Sequence, residues 1–314
     1  MSCLSIAACG GNKNRPNLDE FSDIGLSDDD LLESDSPYLV LLSKFAVKPF
    51  FGVPNDSPAV RSAAFGCADD ANTAFRSEMQ DVTVVEPSFG PDGSRSLVAV
   101  FDGHGGADGS KLASDFVVQA VGNEIGRRDP REIFEDAFTA SDMVFEGDSV
   151  MFQGTTALVV VLERLGDVKL LHLANVGDSR ALLASTTSDP MIIHPLHTPD
   201  NAVEVERITT SGGFVARGKV NGMVSVTRSL GNLPMKEIVL SDPFVTTITL
   251  TGTETWLVLA CDGVYDVMSP ESVVAACSRA ASAQQAAEAV VKEAIDLGST
   301  DNVSVITVKL NAEV

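Results

Sequence analysis

Large apolar residues are few up to about Asp35, form one short patch at 38–47, and become regularly patterned after about Ala59. Beyond that point two spacings alternate. Residues 60–67, 82–85, 97–101, 155–162, 168–176, 223–227, 244–250, 255–260 and 303–310 are short runs rich in β-branched and aromatic side chains, and they predict strands. Residues 111–125, 131–145, 202–210, 270–281 and 284–297 repeat apolar positions at helical spacing, as in Leu112, Phe116 and Ala120, or Ala287, Val290, Val291 and Ala294. The helices arrive in two sequential pairs around a single short one, whereas most strands are joined by short turns such as Leu165-Gly166-Asp167. That order favours antiparallel sheets with helices outside over a doubly wound parallel sheet. The fold class expected is therefore α+β, as a four-layer α-β-β-α sandwich in which two antiparallel sheets are flanked by antiparallel helix pairs.

Residues 1–37 carry Asn, Gly and Ser with an acidic run that includes Asp28, Asp29, Asp30, Glu33 and Asp35. Such a segment buries too little apolar surface to offset its ordering entropy, so a flexible acidic N-terminal extension is expected there. Residues 38–314 are expected to form one domain. Within it the apolar patch at 38–47 should pack on the body of the domain, ahead of a Pro-rich connection over 49–58.

Charge narrows the partners. With 44 acidic against 22 basic residues the formal net charge is −22, which disfavours a nucleic-acid backbone or an anionic membrane and favours cations and basic polypeptides. Five scattered cysteines with no Cys-x-x-Cys pair suggest neither a disulfide framework nor a zinc site, and hence a reducing compartment. The opening residues lack a basic start, and Ser2 stands where a myristoyl acceptor would need Gly. Neither secretion nor an anchor nor a transmembrane segment is expected. A cytoplasmic monomer is the expectation, with the nucleus as the alternative compartment.

The chemistry is concentrated where apolar strands stop at acidic turns. In LVAVFDGHGGA, residues 97–107, the run ends at Asp102, and Gly103 lets the backbone bring a carbonyl beside that carboxylate, the pairing that holds a hard cation. His104 follows as a titratable acid. The design recurs at Asp262-Gly263 in TWLVLACDGVYDV, while Asp301-Asn302 precedes the last strand, Asp178 follows LLHLANVG and Asp81 closes FRSEMQD. Carboxylates converging on one point repel, so they either take up protons or bind a multivalent cation. An oxygen-only donor set selects Mg or Mn over Zn or Cu. Among the other histidines, His172 alternates within a strand and reads as core, and His194 and His197 lie in a Pro-flanked loop.

Taken in order, FRSEMQD, VFDGHGG, QGTTALVVV, ANVGDSRALL, GKVNGMVSVTRSLGN, LVLACDGVYDVMS and STDNVSVITV resemble the metal-dependent type 2C family of protein serine/threonine phosphatases, over roughly residues 60–310. The resemblance implies a β-sandwich with helix pairs on its outer faces and hydrolysis of phosphoserine and phosphothreonine proteins without a covalent intermediate. It makes Asp102 the carboxylate bridging two Mg or Mn ions, with Asp262 and Asp301 on the first and the Gly103 carbonyl on the second. Asp81 would hold a metal-coordinated water, Arg76 would grip the substrate phosphate and His104 would be the general acid. Asp178 and Asp266 match residues of a weaker third metal site.

Two positions depart from the family pattern. Gln80 stands where many relatives carry a metal-binding Glu, so weaker binding of the second ion is expected. Asn232 in SLGN replaces a common Asp, just before a variable flap over residues 233–242, and there the departure implies altered substrate preference. The rival reading, a catalytically weak phosphatase-like scaffold that binds phosphoproteins, rests on Gln80.

Overall fold

The computed structural model describes residues 63–310. The expectations for residues 1–37 and for the patch at 38–47 lie outside the described residues. Among the described residues there are fifteen strands: β1 Ala64–Asp70, β2 Val82–Phe89, β3 Arg95–Phe101, β4 Gly103–His104, β5 Gly154–Thr155, β6 Ala157–Leu165, β7 Val168–Val176, β8 Arg180–Ser185, β9 Met191–Ile192, β10 Val215–Ala216, β11 Lys219–Val220, β12 Leu230–Gly231, β13 Phe244–Leu250, β14 Glu254–Ala260 and β15 Val303–Lys309. The helices are α1 Asp108–Glu124, α2 Pro130–Ala140, α3 Ala202–Thr210, α4 Asp262–Tyr265, α5 Pro270–Arg279 and α6 Ala283–Asp296. Two five-stranded antiparallel sheets, ordered β1-β15-β14-β8-β9 and β13-β7-β6-β3-β2, form the body of the molecule. The α+β class and the antiparallel pairing expected from the pattern are present.

The central strands lack polar alternation because both of their faces are covered. Leu97, Ala99 and Phe101 of β3 pack with Val117 and Val121 of α1 and with Ile133, Phe134 and Phe138 of α2. Val98 and Val100 of the same strand point the other way and pack with Leu257 and Leu259 of β14 and Ile306 of β15. On β14, Trp256, Val258 and Ala260 meet Val273 of α5 and Ala287 and Val290 of α6. One core therefore lies between the sheets and one lies under each helix pair.

Local chemistry sets the helix ends. Asp129, Ser269 and Ser282 cap α2, α5 and α6 by accepting first-turn backbone N–H groups, and Pro130 and Pro270 occupy the position where a missing N–H costs nothing. The helix expected over 131–145 stops at Ala140 and continues as a 3₁₀ turn, Ser141–Phe145. The first strand is shifted relative to the expected 60–67, running to Asp70 in register with β15. No strand forms over 223–227. Met223 there is 58% exposed and Val224 makes a single bridge to Val220, so the apolar residues belong to a turn beside a small core of Ile208, Val220 and Val239.

His194 and His197 are buried, and each accepts a backbone hydrogen bond: Ala181 N–H donates to His194 Nε2 at 3.0 Å and Gly177 N–H to His197 Nδ1 at 3.2 Å. Burial, helped by Arg180 beside one and Arg228 beside the other, pushes them down to about 4 and about 3. Folded pKa values below the unfolded value near 6.5 mean that the folded state binds fewer protons. Their contribution is thus complete above pH 6.5 and is lost as pH falls towards the folded values. Between pH 6.5 and 5 each site should cost about 1–2 kcal/mol of stability. A urea-denaturation series across that range should show a smaller acid loss in His197→Asn, which keeps an acceptor and cannot titrate, than in the unaltered chain.

Candidate active site

Antiparallel pairing brings the acidic turns to one end of the sandwich. Val82 pairs with Phe101, so Asp81, just before β2, lies beside Asp102, just after β3. Ala260 pairs with both Val305 and Arg180, which places Asp262 after β14 next to the approach to β15, where Asp301 stands, and the approach to β8, where Asp178 stands. Ligand atoms of Asp102, Asp262 and Cys261 all lie within 4.8 Å of one another. Two full charges at such a separation repel by about 3–4 kcal/mol at an effective dielectric of about 20, so the carboxylates respond by taking protons. Burial first, then like charge, pushes Asp81 up to about 7, Asp178 up to about 7 and Asp262 up to about 6, and moves Asp102 well above its usual range. Asp266 is exposed and adds its charge to both Asp178 and Asp262.

Gly103 is required here for close approach. A Cβ on it would overlap the Gln80 carbonyl oxygen and lie 2.9 Å from Ser110 Oγ. The turn itself falls later, at Gly105 and Gly106, whose φ values are 80° and 147°. Arg76, on the exposed loop before β2, is ion-paired with Asp301 and donates from Nε to the Thr300 carbonyl. The Gln80 amide is turned outward, donating to Glu78 Oε1 at 2.9 Å. His104 sits in the small sheet β12-β5-β4, where it pairs with Gly154, and its Nε2 is 2.7 Å from Asn232 Oδ1. Burial lowers the pKa of the imidazole, and the Asn232 contact partly opposes this.

The structure thus gathers Asp81, Asp102, Asp178, Asp262 and Asp301 with Arg76 at one end of the two sheets. His104 adjoins the site two residues beyond Asp102. A family model described as protein phosphatase 2C matches residues 65–303. The chain belongs to the protein phosphatase 2C family. It is 32% identical over 261 residues to "Protein phosphatase 2C homolog 1" of Saccharomyces cerevisiae, covering 78% of this chain and 92% of the yeast protein. To "Protein phosphatase 1E" of Mus musculus it is 34% identical over 254 residues, 75% of this chain but only 33% of the mouse protein. Its fold resembles the crystal structure of serine-threonine phosphatase 2C from Toxoplasma gondii, with a TM-score of 0.70, 21% identity, and coverage of 84% of this chain and 99% of that one. Phosphatase 2C enzymes are metal-dependent protein serine/threonine phosphatases, and the family works with Mg or Mn.

Several residues that build the phosphatase 2C site are silent as sequence motifs. Asn302 accepts from the Gln80 backbone N–H at 2.9 Å and donates to the carbonyls of Ala71 and Glu78 at 2.8 and 3.1 Å, tying the Arg76 loop to the start of β15. Asn72, in the left-handed region with φ 49°, donates to the carbonyls of Ser299 and Asp301. Thr156 Oγ1 accepts from the Asp102 N–H at 3.0 Å and lies 2.9 Å from Ser179 Oγ, so one hydroxyl holds the turns of Asp102 and Asp178 together. Asn302 and Thr156 lie inside the STDNVSVITV and QGTTALVVV motifs and Asn72 three residues before FRSEMQD, so position was their only signal and the partners they take had none. Among the described residues no helix is long and apolar enough to cross a membrane.

The raised carboxylate values carry a sign. Their protonated forms stabilise the metal-free protein fully only below about pH 4, the unfolded value, and that contribution is lost progressively as pH rises through the folded values of about 6–7. Between pH 7 and 8.5, where His194 and His197 are neutral in the folded state and mostly neutral in the unfolded one, the metal-free melting temperature should fall. Asp102→Asn should flatten that fall and raise the metal-free value at pH 8.5 by about 4–8 °C, for relief of about 2 kcal/mol. A scan of melting temperature against pH in chelator checks both outcomes.

Proposed function

We propose that this chain hydrolyses phosphoserine and phosphothreonine in proteins with two divalent cations, Mg or Mn, and no covalent phosphoenzyme. The observation that carries this reading is the convergence of buried carboxylates that burial and mutual repulsion push upwards even with Arg76 and Arg180 beside them. Asp81 Oδ2 is buried with no hydrogen-bond partner among the described residues, an orphan acceptor of the kind that a cation or its water would satisfy. Cys261 does not compete as a ligand. Burial holds its thiol well above the usual range, and the sulfur is already engaged with the Asn302 carbonyl and the Ser304 N–H. The remaining donors are oxygens, which suits Mg or Mn.

In this reading Asp102, Asp262, Asp301 and the Gly103 carbonyl would hold the two ions, with Asp262 and Asp301 on the first, the Gly103 carbonyl on the second and Asp102 shared by both. Asp178 and Asp266 serve a weaker third site. Cations held there would supply a water of lowered pKa and would offset charge on the phosphoryl group. Asp81 accepts a hydrogen bond from that water and orients it. Arg76 leaves Asp301 for the phosphoryl oxygens, which its planar fork of donors neutralises and aligns. As the bond from phosphorus to the seryl or threonyl oxygen breaks, its electron pair stays on that oxygen, which takes a proton from His104. Gln80 offers an amide oxygen in place of a charged one, and rotation away from Glu78 would free it for the second ion.

Hydrolysis of a phosphothreonine peptide should require Mn or Mg and fall by about a thousandfold or more in Asp102→Ala. Gln80→Glu should lower the half-saturating metal concentration. Absence of turnover in the unaltered chain at every metal concentration would defeat the proposal. Turnover recovered only in Gln80→Glu would favour the binding-only scaffold.

A further inference from the structure

Asn232 was expected to bear on substrate preference, yet its side chain reaches the histidine. Its Oδ1 lies 2.7 Å from His104 Nε2 and accepts a second hydrogen bond, also 2.7 Å, from the Ser229 hydroxyl. Its Nδ2 lies 3.5 Å from the Phe152 carbonyl. The Ser229 hydroxyl on Oδ1 and the Phe152 carbonyl beside Nδ2 assign the amide with its oxygen towards His104, and in that orientation Nε2 carries a hydrogen and donates it to Oδ1. His104 Nδ1 has no hydrogen-bond partner among the described residues and is the nitrogen left for the reaction.

The turn that holds Asn232 is itself pinned from both sides. Asn232 adopts φ 52°, a left-handed conformation that Asn tolerates better than most residues. Asp142 Oδ1 accepts from the Gly231 N–H at 2.8 Å, and Lys236 Nζ contacts both Asp142 Oδ1 and the Ser229 carbonyl at 3.0 Å. The three residues before Asn232 are therefore fastened to the 3₁₀ turn after α2 by a mostly buried ion pair. Gly154 closes the arrangement from below. It lies between His104 and Gly231 in the small sheet, and a Cβ on it would overlap Asn232 Oδ1 and stand 2.5 Å from His104 Nε2.

We propose that Asn232 is a positioning residue for His104: by accepting from Nε2, with Ser229 and Gly154 fixing the geometry, it holds Nδ1 where the leaving oxygen takes its proton. This inference rests on the phosphatase reading above. As the P–O bond breaks, its electron pair remains on the departing oxygen, the proton moves there from Nδ1, and the neutral ring keeps its Nε2 hydrogen on Asn232. Water then returns a proton to Nδ1.

The leaving group supplies the test, because a p-nitrophenolate departs as a stable anion and needs no proton, whereas a threonyl alkoxide does. Asn232→Gly keeps the left-handed backbone and removes the amide. With saturating Mn, it should lower kcat for a phosphothreonine peptide by about tenfold or more, with KM and the kcat for p-nitrophenyl phosphate within about threefold of the unaltered enzyme. Gly154→Ala, which wedges the pair apart, should do the same. Asn232→Asp retains the acceptor and should keep peptide turnover within about threefold. In ¹⁵N-labelled protein the neutral His104 ring should carry its hydrogen on Nε2, a bias lost in Asn232→Gly. Equal losses on both substrates, an unaltered peptide kcat, or an Nδ1–H ring in the unaltered chain would each overturn the assignment alone. No turnover of either substrate by the unaltered chain would overturn the phosphatase reading, and this one with it.

Discussion

Repulsion among buried carboxylates is the constraint around which the molecule is arranged. Asp81, Asp102, Asp178, Asp262 and Asp301 would separate if their backbones were free, since a charged pair as close as Asp102 and Asp262, within 4.8 Å, opposes the fold by a few kcal/mol. They stay together because each stands immediately before or after a strand, or in the tight turn between two, within the doubly covered sheets. Packing of Leu97, Ala99 and Phe101 on one side of β3, and of Val98 and Val100 on the other, sets where Asp102 stands. The same holds for β14 and Asp262. Core packing supplies the rigidity, and the charge is held in a state that a multivalent cation relieves.

A second tier of polar side chains converts strand ends into a shaped site. Asn302 bonds to carbonyls of the irregular loop that carries Arg76, and Asn72 of that loop bonds back to the carbonyls of Ser299 and Asp301, so Arg76 is presented from a segment stitched down at several points. Thr156 couples the Asp102 and Asp178 turns through one hydroxyl. These groups satisfy backbone donors and acceptors that the ladders leave open at their ends, which is why loops so rich in polar backbone can be partly buried. The acid side of the site is organised separately, by the small sheet that links His104, Gly154 and Gly231. The carboxylate cluster and His104 thus sit on different frameworks that meet at Asp102-Gly103-His104.

The order of secondary structure was largely legible because most elements are buried on a definite period. The long strands β3, β6, β7, β13, β14 and β15 and the helices α1, α2, α5 and α6 appear where apolar spacing put them, with ends moved by a few residues. The errors share a cause. Residues 223–227 have a strand-like composition, but their hydrophobes serve a local core with Ile208 and Val239, and a turn satisfies that as well as a strand. β8, together with the two-residue strands β4, β5 and β12, went unread, since short elements carry too few residues to show a period and exist only through their partners.

For the site, the sequence by itself determined which residue types were available and which end of each strand they occupied. An apolar run stopping at Asp-Gly places a carboxylate at a strand terminus by local chemistry alone, and repetition of that design was enough to predict a hard-cation centre. Only the tertiary structure decided which partners each group has. Antiparallel register, summed over strands far apart in sequence, set Asp81 beside Asp102. It also gave Asn232 to His104, although 128 positions separate them. Position along the chain encodes what a residue can do. Pairing across the fold is a property of packing and register, so the neighbour that directs it becomes visible only when the chain is closed into three dimensions.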